Sequence, residues 1–134
     1  MELCFYNAVM TGMSIDGKKF TYVNQLASSD SDLSKREEWF TCACCPPNVT
    51  RLLGYIGGYL WTFAAGMGDV SVNIHMYSSA VLLIPVENGV IEVEQKSNWP
   101  WDGKVDLEVL NSTNVSTTIK LRIPAWAESW KVSS

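Results

Sequence analysis

The fold is decided where the hydrophobic pattern changes its period, in residues 46–68, which read PPNVTRLLGYIGGYLWTFAAGMG. Pro46 and Pro47 stop any helix that precedes them, and Asn48 is a residue type that caps helices. Apolar side chains then recur three or four residues apart, which predicts a helix that continues to Gly66 and Gly68. The residues at this helical spacing are Val49, Leu52, Leu53, Ile56, Leu60 and Phe63.

The remainder of the chain, from residue 69 onward, has the pattern of strands. Runs rich in apolar and β-branched residues are separated by turn signals such as Asn88-Gly89 and Asp102-Gly103. Their spacing of about ten residues or slightly more is typical of an antiparallel sandwich. The predicted strands are 70–77, 80–85, 90–95, 105–110 and 117–123.

The residues before the proline pair predict a helix, a hairpin and a loop. Residues 1–10 form an apolar helical pattern that starts without a capping residue, which indicates a fragment of a longer protein. Residues 13–24 are a hairpin closed by the turn pair Asp16-Gly17. Residues 25–38, rich in Ser, Asp, Lys and Glu, are expected to be an exposed loop leading to Trp39.

Composition excludes several classes of function. The 134 residues, 47% of them hydrophobic, are enough to bury one modest core. A net charge of -4 with ten scattered basic residues gives no surface for a phosphate backbone, so nucleic acid is not an expected partner. No apolar run approaches the roughly 20 residues of a membrane span. The sequence indicates neither a compartment nor an oligomeric state.

The chemistry is concentrated in one cysteine loop. Three of the four cysteines, Cys42, Cys44 and Cys45, lie within four residues, where disulfide geometry is awkward. The rigid prolines and the positive end of the following helix favour a thiolate, which is both a zinc ligand and a nucleophile. Metal binding, covalent catalysis and plain buried cysteines therefore remain open.

A complete zinc site is not expected from this chain alone. Tetrahedral zinc needs four donors, commonly two separated Cys or His pairs. Cys4 lies in an apolar helical face and is predicted to be a core cysteine. His75, the only histidine, alternates with Ile74 and Met76 and is predicted to be a sheet residue. The missing donors must come from elsewhere.

Four motifs in a fixed order carry a resemblance. They are the stretch from Leu3 to Leu26, Cys44-Cys45-Pro46-Pro47-Asn48 followed by Arg51, Trp99-Pro100-Trp101-Asp102-Gly103, and Leu121-Arg122-Ile123-Pro124-Ala125-Trp126. Together they resemble glycoside hydrolase family 127, the zinc-dependent β-L-arabinofuranosidases. The resemblance covers residues 2–130, apart from residues 27–38, which form a loop whose sequence is expected to vary.

This resemblance implies an α+β fragment. Residues 1–66 would be the end of a catalytic (α/α)₆ barrel with a hairpin, and residues 67–134 an antiparallel, incomplete β-sandwich. The family are retaining glycosidases that act on terminal β-L-arabinofuranosyl groups, with a cysteine in place of the nucleophilic carboxylate. Cys44 would be the nucleophile and a zinc ligand, and Cys45 a second zinc ligand. Cys42 lies in the matching cysteine motif, but the resemblance assigns it no role.

The resemblance also implies that the site is incomplete. It places the acid/base glutamate and a Glu-x-Cys zinc pair upstream of this chain, so the chain alone is expected to be inactive. Glu2 and Cys4 share that spacing, but their flanking residues match a different helix. Tyr22, with Asn24 beside it, matches a stretch that lines the sugar pocket, so Tyr22 is a candidate substrate contact or a packing aromatic.

Two rival functions stay open beside the glycosidase. One is a noncatalytic carbohydrate-binding or structural β-sandwich, and the other is a small zinc-binding interaction module built on Cys42, Cys44 and Cys45. Sugar stacking is conceivable for three tryptophans, although packing is the favoured interpretation; they are Trp39, Trp99 and Trp101. Arg51 either pairs with a carboxylate near the cysteines or is solvated, and the salt bridge is the favoured interpretation.

Overall fold

The computed structural model describes residues 1–23, 25–27, 29–31, 35–111 and 113–134. The chain divides into two compact units, Met1–Ile56 and Gly57–Ser134. Both helices and strands are present, so the predicted α+β class is confirmed. The domain boundary predicted at residue 66 stays a prediction.

The first unit opens with a helix, as predicted. Helix α1 (Glu2–Cys4) continues into a π-helical turn, Phe5–Val9, and a 3₁₀ turn, Met10–Gly12. None of these segments contains a buried residue. The apolar residues of the opening helix therefore contribute no buried core to this unit.

The predicted hairpin follows directly. Met13 pairs antiparallel with Phe20, and the Gly17 N–H donates to the Ser14 carbonyl at 2.9 Å. Gly17 has a φ of 72°, a conformation that glycine adopts at little cost. The Asp16-Gly17 turn is thus confirmed, although the pairing is a single bridge rather than two regular strands.

The end of the predicted exposed loop is attached to this hairpin. Phe20 and Glu37 exchange two backbone hydrogen bonds, each 3.0 Å long. The Arg36 guanidinium donates to the Thr11 carbonyl at 2.7 Å, and a salt bridge of 3.7 Å joins Lys19 to Glu38. The side chains of residues 35–38 remain exposed, as expected, but their backbone is held against the hairpin.

The predicted long helix is wrong in its extent. Helix α2 (Pro47–Tyr55) is followed by a short helix α3 (Gly57–Leu60) and then by strand β1 (Trp61–Ala65). The Gly57-Gly58 pair weakens the helix, and Trp, Thr and Phe favour an extended backbone. Asn48 lies inside α2 and makes no capping bond, so the predicted cap is also wrong.

The described residues of the second unit form two sheets of three strands each. The first has the order β1-β2-β6, with β2 at Asp69–Ile74 and β6 at Ser116–Leu121. The second has the order β3-β4-β5, with β3 at Ala80–Val86, β4 at Gly89–Ser97 and β5 at Val105–Asn111. All five strands predicted from sequence exist, with ends shifted by up to three residues, and β1 is an addition to them.

One strand pair departs from the antiparallel expectation. Strands β2 and β6 run parallel, with Asp69 opposite Ser116 and Ile74 opposite Leu121, while the other pairs are antiparallel. Parallel neighbours require a crossover between them. Here strands β3, β4 and β5 lie between β2 and β6 in the chain, and they form a sheet of their own.

The core of the chain lies in the second unit. The buried hydrophobic residues of the core all come from residues 60–93. In β2 buried and less buried positions alternate, which is the pattern of a strand with one face covered. In the described part of the first unit, Pro46 is the single buried residue. The buried hydrophobic residues are Leu60, Trp61, Val70, Val72, Ile74, Met76, Tyr77, Leu82, Ile84, Ile91 and Val93.

A buried glutamine on β4 forms hydrogen bonds to the segment that connects β2 with β3. Gln95 is 0% exposed, and its amide donates to the carbonyls of Met76 at 3.3 Å and Ser78 at 2.7 Å. The Ser79 hydroxyl donates to the Ser97 carbonyl at 2.9 Å. These bonds satisfy backbone groups that would otherwise be costly to bury.

No helix among the described residues combines the length and the hydropathy of a membrane-spanning segment.

We expect the second unit to depend on Ile84, which is 0% exposed on β3. Ile84→Ala should lower the free energy of unfolding by about 2–5 kcal/mol, because it removes buried methyl groups and leaves a cavity. The measurement is urea denaturation of the whole chain, with unfolding monitored by tryptophan fluorescence.

The matched control is the neighbouring residue on the same strand. Leu83 is 60% exposed, so Leu83→Ala should change the unfolding free energy by no more than about 0.5 kcal/mol. Equal losses in the two variants would show that the core does not lie on the Ile84 face of β3.

Candidate functional site

The cysteine loop lies directly before helix α2, as predicted. Cys42, Cys44 and Cys45 are exposed and are not joined by disulfides. Pro46 precedes the first residue of α2, and the Asn48 N–H donates to the Cys45 carbonyl at 3.0 Å. The proline pair thus turns the chain from the loop into the helix and leaves the sulfurs accessible.

The structure brings the three predicted site residues together. The Tyr22 hydroxyl lies 2.9 Å from the Cys44 Sγ, although the two residues are 22 positions apart. The Cys45 Sγ lies 3.4 Å from the Cys44 Sγ. Tyr22 belongs to the far end of the hairpin, so the contact joins the hairpin to the cysteine loop.

This contact changes the acidity of both groups. The hydrogen bond from Tyr22 lowers the pKa of the Cys44 thiol, and the neighbouring Cys45 and Cys42 lower it further. The same bond, followed by the one to Cys45, raises the pKa of Tyr22. These opposite shifts favour a protonated phenol beside an ionised thiol, and the ionised thiol is the form in which sulfur acts as a nucleophile.

The two adjacent sulfurs also fit the spacing of zinc ligands. Zinc–sulfur bonds of about 2.3 Å at tetrahedral angles place two thiolates about 3.8 Å apart. The 3.4 Å between Cys44 and Cys45 approaches this value, and both side chains are exposed. The described residues contain no group of three or more Cys, His, Asp or Glu arranged for a metal.

The two remaining candidate donors have other surroundings. Cys4 is exposed on α1, so the prediction of a buried core cysteine is wrong; no residue of that helix is buried. His75 follows β2, and its Nε2 lies 2.9 Å from the hydroxyl of Thr62 on β1. His75 was predicted to lie inside a strand, but β2 ends at Ile74, so that prediction is wrong by one residue, although the side chain still contacts the neighbouring strand β1.

Other sequence candidates have mixed outcomes. Arg51 donates to the Asn48 side-chain carbonyl at 2.7 Å, so its partner is an amide and not the expected carboxylate. Trp99 stacks on Trp126 with ring centres 5.2 Å apart, as packing predicts. The packing interpretation is wrong for the other two tryptophans, Trp39 and Trp101, which are 83% and 85% exposed. Asn24 lies outside the described residues.

One neighbour of the site was not predicted from sequence. The ring of Phe40 lies 5.3 Å from the ring of Tyr22, at an interplanar angle of 48°. The available signal was an aromatic residue two positions before Cys42, which does not reveal the partner across the fold.

Family models match both parts of the chain. Residues 1–58 match the model described as the beta-L-arabinofuranosidase, GH127 catalytic domain. Residues 70–133 match the model of the GH127 middle domain of the same enzymes.

Individual relatives give the same family. The chain is 34% identical over 139 residues to a non-reducing end beta-L-arabinofuranosidase of Bifidobacterium longum subsp. longum, covering 95% of this chain and 20% of the relative. A solved GH127 beta-arabinofuranosidase superposes with a TM-score of 0.72 at 34% identity, over 91% of this chain and 18% of that one.

A second solved structure is similar to the same degree. It is a GH127 beta-L-arabinofuranosidase from Geobacillus stearothermophilus T6, with a TM-score of 0.71 at 33% identity, over 96% of this chain and 21% of that chain. The chain thus spans about a fifth of the length of the curated relative it matches.

We expect Tyr22→Phe to make Cys44 less reactive near neutral pH. The variant keeps the ring but removes the hydroxyl that lowers the pKa of the thiol, so the pKa should rise toward its ordinary value of about 8.5. Below that pH the thiolate fraction falls, and the iodoacetamide labelling profile of Cys44 should move to higher pH. Peptide mass spectrometry of metal-free protein measures the rate at each cysteine.

Tyr55→Phe is the matched control, because Tyr55 is 70% exposed on α2. Its labelling profile should overlay that of the unaltered chain. A Cys44 profile that is the same in Tyr22→Phe would show that the hydroxyl does not act on the sulfur.

Proposed function

Since this chain belongs to glycoside hydrolase family 127, we propose that it is part of a retaining glycosidase that removes terminal β-L-arabinofuranosyl groups, with Cys44 as the nucleophile. The observation that carries this proposal is the contact of the Tyr22 hydroxyl with the Cys44 sulfur at 2.9 Å. The relatives' names supply the substrate class, and the geometry supports the residue that would attack it.

The surroundings of Cys44 suit a nucleophile better than a buried structural cysteine. Its side chain is exposed, so an anomeric carbon can approach it. Its thiol has a lowered pKa, caused first by the Tyr22 hydroxyl, and this shift favours the thiolate, which is the attacking species. A structural cysteine is normally enclosed by apolar neighbours, which raise the pKa.

The proposed reaction proceeds by two displacements. The Cys44 sulfur forms a bond to the anomeric carbon while the bond to the leaving oxygen breaks, and that oxygen takes a proton from a general acid. Water then attacks the anomeric carbon and gives a proton to the same residue, now acting as a base, while the carbon–sulfur bond breaks and the configuration is retained. The Tyr22 hydroxyl remains in place to donate to the sulfur as it departs with its charge.

Part of this machinery would come from residues upstream of this sequence. We propose that the acid/base glutamate and a Glu-x-Cys pair lie there, on the remainder of an (α/α)₆ barrel whose last part is residues 1–66. Residues 67–134 would then form part of a β-sandwich that follows the barrel. The match of residues 1–58 to a catalytic domain and of residues 70–133 to a middle domain supports this division.

Cys44 and Cys45 are the residues of this chain that would hold zinc. Zinc bound to the two sulfurs would keep the thiol ionised at neutral pH. The Tyr22 hydroxyl, on the hairpin, contacts the Cys44 sulfur and would orient it for the attack. The neighbouring Cys45 sulfur would bind zinc without taking part in the attack.

In a longer protein that includes the upstream residues, Cys44→Ser should reduce hydrolysis of an aryl β-L-arabinofuranoside by roughly 10³-fold or more. Cys4→Ser is the control and should keep the rate, since Cys4 is an exposed cysteine remote from the loop in sequence. An arabinofuranosyl probe of the cyclophellitol type should add its mass to Cys44. Full hydrolytic rate without the sulfur at this position would refute the mechanism.

In the same longer protein, Cys45→Ser should lower the zinc content of the purified enzyme, because one of the proposed thiolate ligands is lost. Elemental analysis gives the zinc per chain without any activity assay. Cys4→Ser should leave the zinc content unchanged, and an undiminished content in Cys45→Ser would remove Cys45 from the ligand set.

A further inference from the structure

Phe40 differs from its neighbours in the segment that leads to the cysteine loop. Residues 35–39 and 41–45 are exposed, whereas Phe40 is half-buried. Its ring packs on Tyr22, with ring centres 5.3 Å apart. The segment thus turns this one side chain toward the hairpin.

The contact with Phe40 restricts the ring of Tyr22. Tyr22 is 38% exposed, and its hydroxyl reaches the Cys44 sulfur at 2.9 Å. The hydroxyl position of a tyrosine follows from two side-chain torsions, so a contact that restricts the ring also restricts the hydroxyl. Offset and tilted aromatic pairs contribute a favourable and directional contact of this kind.

The backbone brings the two rings into reach. Phe20 and Glu37 exchange hydrogen bonds at 3.0 Å, which holds the stem of the cysteine segment beside the hairpin. The bridge is antiparallel, so the two segments leave it in opposite directions, and bends at Tyr22, Val23 and Glu38 bring the rings of Tyr22 and Phe40 back into contact. From Phe40 the chain then reaches Cys42 in two residues.

We propose that Phe40 is a positioning residue for the nucleophile: its ring holds Tyr22 in the orientation that places the hydroxyl on the Cys44 sulfur. This inference rests on the proposed function in naming Cys44 as the nucleophile. The role is indirect, because Phe40 acts through Tyr22 and contributes no polar group to the site.

The test measures how fast iodoacetamide labels Cys44 relative to Cys4 in the 134-residue chain, without metal. Phe40→Leu keeps an apolar side chain but removes the ring, and should reduce the Cys44 to Cys4 ratio by about threefold, because the Tyr22 hydroxyl is no longer held against the Cys44 sulfur. Phe40→Tyr keeps the ring and should have the same labelling ratio as the unaltered chain. Phe63→Leu, a half-exposed phenylalanine on β1, is the matched control and should not change it.

The decisive arm repeats Phe40→Leu in a Tyr22→Phe background. Tyr22→Phe already lacks the hydroxyl, so the loss of the Phe40 ring should have no further effect on the ratio. A purely structural role for Phe40 would instead reduce the ratio by the same factor in both backgrounds, because the double-mutant cycle would then show no coupling.

Three results would overturn the inference. They are an unchanged ratio in Phe40→Leu, an equal reduction in the two backgrounds, and a loss of far-UV circular dichroism with all cysteines labelled alike. The last result would mean that Phe40 supports the whole loop and not Tyr22 in particular. None of these outcomes affects the glycosidase proposal, which fails separately if Cys44→Ser retains full activity in the longer protein.

Discussion

The arrangement of the candidate site depends on one hydrogen bond, from the Tyr22 hydroxyl to the Cys44 sulfur at 2.9 Å. It connects the hairpin to the cysteine loop and gives the sulfur a fixed donor. Without such a donor an exposed thiol would ionise less readily and would point in several directions. Two backbone features position this contact. The bridge between Phe20 and Glu37 holds the hairpin, and the proline turn at Pro46 holds the cysteine loop.

Much of the fold could be predicted because the signals are local. The Asp16-Gly17 turn needs a residue that accepts a positive φ, and strands β2, β3 and β4 alternate between buried and more exposed positions. Trp61–Ala65 escaped prediction because a short apolar run fits a helix and a strand equally well, and its pairing with β2 decided the outcome. The parallel pairing of β2 and β6 is likewise set by tertiary structure.

The site was predicted in its residues but not in its geometry. Resemblance identified Tyr22, Cys44 and Cys45, whereas their mutual distances follow from the way the hairpin meets the loop. Tyr22 was a candidate sugar contact or packing aromatic, and its hydroxyl lies 2.9 Å from the Cys44 sulfur. The sugar contact itself stays a prediction. The buried Gln95 could not have been found by composition, since a glutamine within a strand looks like an outward-facing residue until its carbonyl partners are known.

The parallel pair β2–β6 also constrains the order of events during synthesis. Asp69 pairs with Ser116, so β2 leaves the ribosome long before the strand that completes its sheet. Until then one edge of β2 offers unpaired amides and carbonyls to any extended segment nearby. The antiparallel hairpins β3-β4 and β4-β5 close earlier because their partners are adjacent in the chain. The second unit is therefore most vulnerable to misassociation in the interval before β6 emerges.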